Sequence, residues 1–100
     1  MDIGQAIRKL RKSQGMTQPQ LAVRCGMSVN SVCMLETGKH FPSKCTIEKL
    51  CRAFGIPQSY FMLSAIEESD IPKEKRVLYR TLLKPLREEL ISNGDLDNPQ

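Results

Sequence analysis

Residues 17–38, TQPQLAVRCGMSVNSVCMLETG, carry two helix start signals and two stop signals in a stretch so short that it specifies two brief helices around a tight turn. Thr17 can cap the first helix through its hydroxyl, Gln20 three residues on completes a capping box, and Pro19 falls in the first turn, where a missing N–H does no harm. Gly26 ends that helix by taking the left-handed conformation that a Cβ disfavours, and Ser28 is placed to cap the next. Gly38 closes the second helix. Helical periodicity then turns Leu21, Ala22, Val32 and Leu35 inward and leaves Val29, Asn30, Cys33 and Met34 on the opposite, solvent-facing side.

The flanking sequence is helical as well. Ile3, Ala6, Ile7 and Leu10 share one face of a first helix over Ile3–Ser13, with Arg8, Lys9 and Lys12 outside and Gly15 as its stop. The spacing predicts the next two helices over Gln18–Cys25 and Val29–Thr37. Ser43 can cap a fourth carrying Ile47, Leu50, Cys51 and Phe54, which Gly55 ends. Pro57 opens a short fifth helix bearing Tyr60, Phe61 and Leu63. The acidic stretch Ser64–Pro72, with its Ser-Asp-Ile-Pro, has a linker's composition. Beyond it, Lys73–Ile91 reads as helical: Leu78, Leu82, Leu86 and Leu90 recur every four residues, and Val77, Leu83 and Ile91 widen the stripe. Pro85 should kink this run or divide it in two, sitting then in the first turn of the second piece.

One hundred residues, 40% of them apolar, allow one small domain with a modest core and leave little room for a large cleft. No apolar stretch approaches membrane-spanning length and the N-terminus MDIGQAIRKLRK is too polar for a signal peptide, so a cytoplasmic location is expected. The four cysteines, Cys25, Cys33, Cys45 and Cys51, form no CxxC pair, and His40 is the single histidine. Neither metal nor cofactor is expected, and the thiols read as small, partly buried side chains, with Cys33 placed to be exposed. Charge is divided unevenly. Residues 1–63 hold nine Lys or Arg against three acids, a balance of +6, whereas residues 64–100 hold six against eight, a balance of −2. The basic half is the half with the two capped helices, and a positive surface attracts phosphate whatever its sequence.

Taken together, Ile7–Arg11, MTQPQLA at 16–22, the Gly26-Met27-Ser28 turn, SVCMLETGKHFPS at 31–43 and the Thr46–Ile56 helix with its FGIP ending resemble the Cro/phage-repressor (XRE) helix-turn-helix family. The resemblance spans residues 3–63. It implies an all-α fold: a five-helix lambda-repressor-like helix-turn-helix domain over residues 1–65. A C-terminal helical extension over 66–92, kinked or broken near Pro85, and a polar tail over 93–100 complete the expected organisation.

The resemblance also implies double-stranded DNA as the partner, with the third helix in the major groove. Matched by position, Val29, Asn30, Cys33 and Met34 would read bases. Asn30 could pair with an adenine edge, while Val29 and Met34 offer apolar contact to thymine methyl groups. Thr17 and Gln18 at the start of the second helix, and Lys39, His40, Ser43 and Lys44 after the third, would meet phosphates. Arg11 and Glu36 match positions that form an ion pair in many relatives. Such domains commonly work as homodimers on palindromic sites, and the Leu78, Leu82, Leu86, Leu90 stripe is the candidate dimerisation surface, although periodicity alone equally allows it to fold back on its own domain. The expected function is a transcriptional repressor. The alternative is an antitoxin or interaction module whose C-terminal helices bind a protein partner while the N-terminal domain autoregulates. An enzyme is not expected, because there is no Gly-rich phosphate loop and no carboxylate pair placed in a cleft.

Overall fold

A computed structural model describes residues 1–91, so the polar tail expected over 93–100 lies outside the described residues. The fold is all-α, and among the described residues there is no strand. The elements run α1 (Ile3–Ser13), α2 (Gln18–Cys25), α3 (Val29–Thr37), α4 (Lys44–Phe54) and α5 (Gln58–Ala65). Two 3-10 turns (Glu68–Asp70 and Lys73–Lys75) follow, then α6 (Arg76–Leu78), a π-helical turn (Tyr79–Leu83) and α7 (Lys84–Leu90). Among these, no helix is long and apolar enough to cross a membrane.

Local chemistry sets the helix bounds. The Thr17 hydroxyl accepts from Gln20 N at 3.2 Å while Thr17 N donates to Gln20 Oε1 at 2.8 Å, a complete capping box. Ser28 and Ser43 accept from the amides of Ser31 and Thr46 at 3.0 and 3.2 Å, and Asp2 does the same for Gln5. Gly26 stands at φ +67°, ψ +37°, and this left-handed residue swings the chain from α2 into α3.

The core is built from every one of the first five helices. Ile3, Ala6, Ile7 and Leu10 of α1 meet Leu21, Ala22 and Cys25 of α2, Val32 and Leu35 of α3, Leu50, Cys51 and Phe54 of α4, and Phe61 of α5. Helix α1 is central, packing on α3, α4 and α5. Its approach to α3 is close enough to require glycine: a Cβ on Gly4 would lie 2.7 Å from the carbonyl oxygens of both Leu35 and Glu36. Ridges of two helices normally need 8–10 Å between axes, and a missing side chain is one way to bring them closer.

The C-terminal half departs from expectation in one place. Ser64–Pro72 is not a free linker. Ser64 and Ala65 form the buried last turn of α5, Asp2 N donates to Ala65 O at 2.9 Å, and the Met1 α-amino group lies 2.8 Å from Glu67 and 3.0 Å from Asp70. The carboxylates that suggested a solvated connector are paired with cations, including Glu68 with Arg80 at 3.0 Å. The extension also docks through a stripe other than the leucines, whose use periodicity left open. Tyr79 and Ile91 are buried, and Leu83 and Arg87 are half-buried, so the inward stripe is 79, 83, 87 and 91. Leu78, Leu82, Leu86 and Leu90 lie one position back and remain 56, 61, 53 and 41% exposed.

Pro85 sits in the first turn of α7, just after the π-helical turn, in which Lys84 N bonds Tyr79 O five residues back. The wide turn makes room for a ring that would otherwise crowd the preceding carbonyl, and the helical direction continues through it. Arg87 Nη1 donates to Ile66 O at 2.9 Å, Tyr79 Oη donates to the same oxygen at 3.4 Å, and Tyr60 Oη donates to Leu90 O. These bonds dock the extension against the end of α5.

Gly4→Ala tests the α1–α3 approach. In a free helix this change gains roughly 1 kcal/mol. Here it should instead lose about 1–3 kcal/mol, as overpacking does, read as a lowered Tm by circular dichroism. A Tm that rises or stays level would refute the close approach.

Candidate nucleic-acid interface

Helix α3 has one buried and one open side. Val32 is fully buried and Leu35 is 7% exposed, while Asn30, Cys33 and Val29, the last at 43%, face solvent. Met34 differs from the expected solvent-facing position. It is half-buried at the edge of this surface, and its carbonyl accepts from the amides of Lys39 at 3.0 Å and His40 at 3.2 Å.

What holds this surface in place is a polar knot beneath it. Arg11, only 8% exposed, donates from Nε to Glu36 Oε2 at 2.6 Å and from Nη2 to Glu36 Oε1 at 3.2 Å. Its Nη1 donates to Met16 O at 2.8 Å, which fixes the α1–α2 turn. Gln18 Nε2 adds a bond to Glu36 Oε1 at 3.0 Å. All three guanidinium nitrogens and both carboxylate oxygens are therefore occupied. This matters because a buried ion pair repays its desolvation only when the remaining donors and acceptors are also met. Gln18, half-buried, thus has a partner inside the protein, which the sequence did not disclose.

Thr17, Lys39, His40, Ser43 and Lys44 are exposed around the ends of α2 and α3. Ser43 caps Thr46 and also shares a hydrogen bond with the Thr46 hydroxyl at 3.1 Å, while the Thr17 hydroxyl accepts from Gln20 and keeps a hydrogen to donate. The loop from α3 to α4 contains no acid between Thr37 and Ile47, so its cations are not neutralised by sequence neighbours. It also presents Phe41, 78% exposed, a residue that periodicity could not single out because it lies in no helix.

The thiols divide by burial. Burial pushes Cys25 and Cys51 above the ordinary thiol range, with the Lys49 charge partly opposing this at Cys25, and both are core side chains. Cys45, expected to be partly buried, is exposed like Cys33 because it lies in the first turn of α4, outside the stripe of Leu50 and Phe54. Among the described residues no group of three His, Cys, Asp or Glu side chains gathers as a metal site would.

A family model described as a helix-turn-helix domain matches residues 2–59. The chain is similar to a competence pilus inhibition repressor of Acinetobacter baylyi, 43% identical over 65% of this chain and 59% of that protein. It is similar to an HTH-type transcriptional repressor, RghR, of Bacillus subtilis, 37% identical over 83% of this chain and 62% of that protein. An immunity repressor protein of Bacillus phage phi105 is 31% identical over 81% of this chain and 54% of its own length. The chain spans less than two thirds of each of these relatives.

Removing one member of the polar knot should cost far more than removing a surface charge. Glu36→Ala leaves the Arg11 guanidinium buried without its carboxylate and is expected to cost about 3–5 kcal/mol. Lys9→Ala, on the exposed side of α1, should stay within about 0.5 kcal/mol of the parent. Equal shifts in Tm for the two variants would argue against a stabilising pair.

Proposed function

The chain belongs to the helix-turn-helix family, and on that premise we propose that it is a sequence-specific DNA-binding transcriptional regulator, a cytoplasmic repressor that reads a palindromic operator as a dimer. The observation that carries this reading is the placement of α3, whose Val29, Asn30 and Cys33 face solvent while the Arg11–Glu36–Gln18 knot and the Gly4 seam hold its other side. A helix so fixed can enter the major groove, where each base pair displays its own donor, acceptor and methyl pattern. Asn30 is then the hydrogen-bonding reader, suited to an adenine edge. Val29 and Met34 supply apolar contact to thymine methyl groups, with Cys33 between them.

Phosphate contacts position such a protein and base contacts specify its site. Thr17 and Gln18 would engage one backbone through the start of α2, and Lys39, His40, Ser43 and Lys44 the other side of the half-site. The three relatives described above are named as repressors, which supports this assignment. No catalytic role is assigned to any residue.

Dimerisation is ascribed to the leucines of the extension. Leu78, Leu82 and Leu86 edge an apolar groove of about 350 Å³ together with Ile71, Lys75, Tyr79 and Leu83, and among the described residues these leucines stay exposed. An apolar face left open in this way marks an interaction site more often than not. The same face is what favours a second reading, an antitoxin-like module in which it binds a different protein while α1–α5 autoregulate.

Selection of bound sequences from a random DNA pool should yield a palindrome, with affinity falling steeply as salt rises. Asn30→Ala should lower affinity for the selected site about tenfold and relax preference at one position, within the 1–3 kcal/mol of a good base contact. In the full chain, Leu82→Glu with Leu86→Glu should convert the dimer to a monomer by light scattering and weaken operator binding without loss of helicity. A pool without enrichment, in a chain that binds a protein tightly, would support the second reading instead.

A further inference from the structure

The chain has five aromatic side chains, and four are accounted for by packing. Phe54, Phe61 and Tyr79 are buried, and Tyr60 is half-buried with its hydroxyl on Leu90 O. Phe41 alone is open to solvent, at 78%. A phenyl ring kept in water without a packing role is free to be covered by a partner, and covering it is favourable.

The ring is presented by a held segment. On its N-terminal side, Lys39 N and His40 N both bond Met34 O, which fastens the loop to the end of α3. On its C-terminal side Pro42 is buried, and Ser43 caps α4. A residue before proline is also confined to extended backbone, which further limits where Phe41 can point. Its sequence neighbours Lys39 and Lys44 are exposed cations, His40 is exposed as well, and the nearest acids in sequence are Glu36, engaged by Arg11, and Glu48. That environment suits an anionic partner with apolar surface between its charges, and the sugar–phosphate backbone of DNA has that composition.

We infer that Phe41 is a direct, non-ionic DNA contact, its ring covering deoxyribose and the adjoining base edges beside the half-site while Lys39, His40 and Lys44 meet the flanking phosphates. The inference rests on the reading that α3 enters the major groove, since the loop that bears Phe41 begins where α3 ends. A ring in that position adds affinity that salt does not erode. It also makes binding depend on how readily the flanking base step deforms, a form of specificity that needs no hydrogen bond to a base.

The test is operator binding by the full chain, followed by fluorescence anisotropy over a salt series with the DNA selected by the wild-type protein. Phe41→Ala should bind about tenfold more weakly, the size of one lost aromatic contact to nucleic acid, at every salt concentration and with an unchanged salt slope. Lys39→Gln should instead reduce the magnitude of the slope by about one, as loss of one phosphate contact does. Phe41→Leu, still apolar, should recover part of the affinity. Wild-type binding by Phe41→Ala overturns the inference, as does a loss of affinity matched by a fall in Tm, which would make the ring a packing element. Failure of the wild-type chain to select any DNA is a separate result and sinks the regulator reading together with this contact.

Discussion

The Arg11–Glu36 pair is the interaction on which the arrangement of the N-terminal helices turns. It lies where the end of α1, the turn into α2, the first residue of α2 and the last turn of α3 converge, and it bonds to all four. Replacing such a pair by apolar side chains of equal volume can be neutral or stabilising, so its presence is weak evidence about stability alone. What an apolar substitute lacks is direction. Two parallel bonds to one carboxylate, a third to Met16 O and a fourth from Gln18 admit one rotation of α3 about its axis. Gly4 acts along the same seam, letting the backbone of α1 touch the carbonyls of Leu35 and Glu36. One contact sets the distance between the helices and the other sets the rotation, and together they decide which residues of α3 stand in solvent.

The parts of this architecture that were legible in the sequence are those settled within a few residues. Thr17 with Gln20, Ser28, Ser43 and the stop glycines bound α2, α3 and α4 where the capping chemistry places them, because a cap depends on an amide three residues away and not on the rest of the fold. The buried side of α3 followed from periodicity for the same reason. Gly4 passed as an ordinary helical residue, since its role arises only when α3 is brought against it. The Gln18 bond to Glu36 spans 18 positions and depends on how α2 crosses α3.

The extension shows the opposite limit. Its two neighbouring stripes, 78-82-86-90 and 79-83-87-91, have the same four-residue spacing, and hydrophobicity favours the all-leucine one. The domain uses the other. Tyr79 and Arg87 combine apolar stems with polar ends, and the carbonyl of Ile66 at the exposed end of α5 needs donors that leucine cannot supply. The inward stripe thus includes side chains that hydrogen-bond a backbone carbonyl, which no count of apolar residues registers. The acidic stretch after α5 misled for a related reason, as its carboxylates were solvating nothing and pairing with the Met1 amine and Arg80.

This outcome bears on how the proposed functions relate. Helix α1 packs on α3 along one side and on α5 along another, and α5 in turn carries α7, so the leucine face and the α3 surface are joined through a continuous set of packed elements. A dimer formed through that face would hold its two recognition helices at one separation, as reading half-sites about 34 Å apart demands. A different protein seated on the same leucines would displace the second copy, because one groove accommodates one occupant. Repressor and partner-binding module would then be two occupancies of a single surface, and a partner bound there would compete with the operator-bound dimer. The choice between them would be set by relative affinities and concentrations.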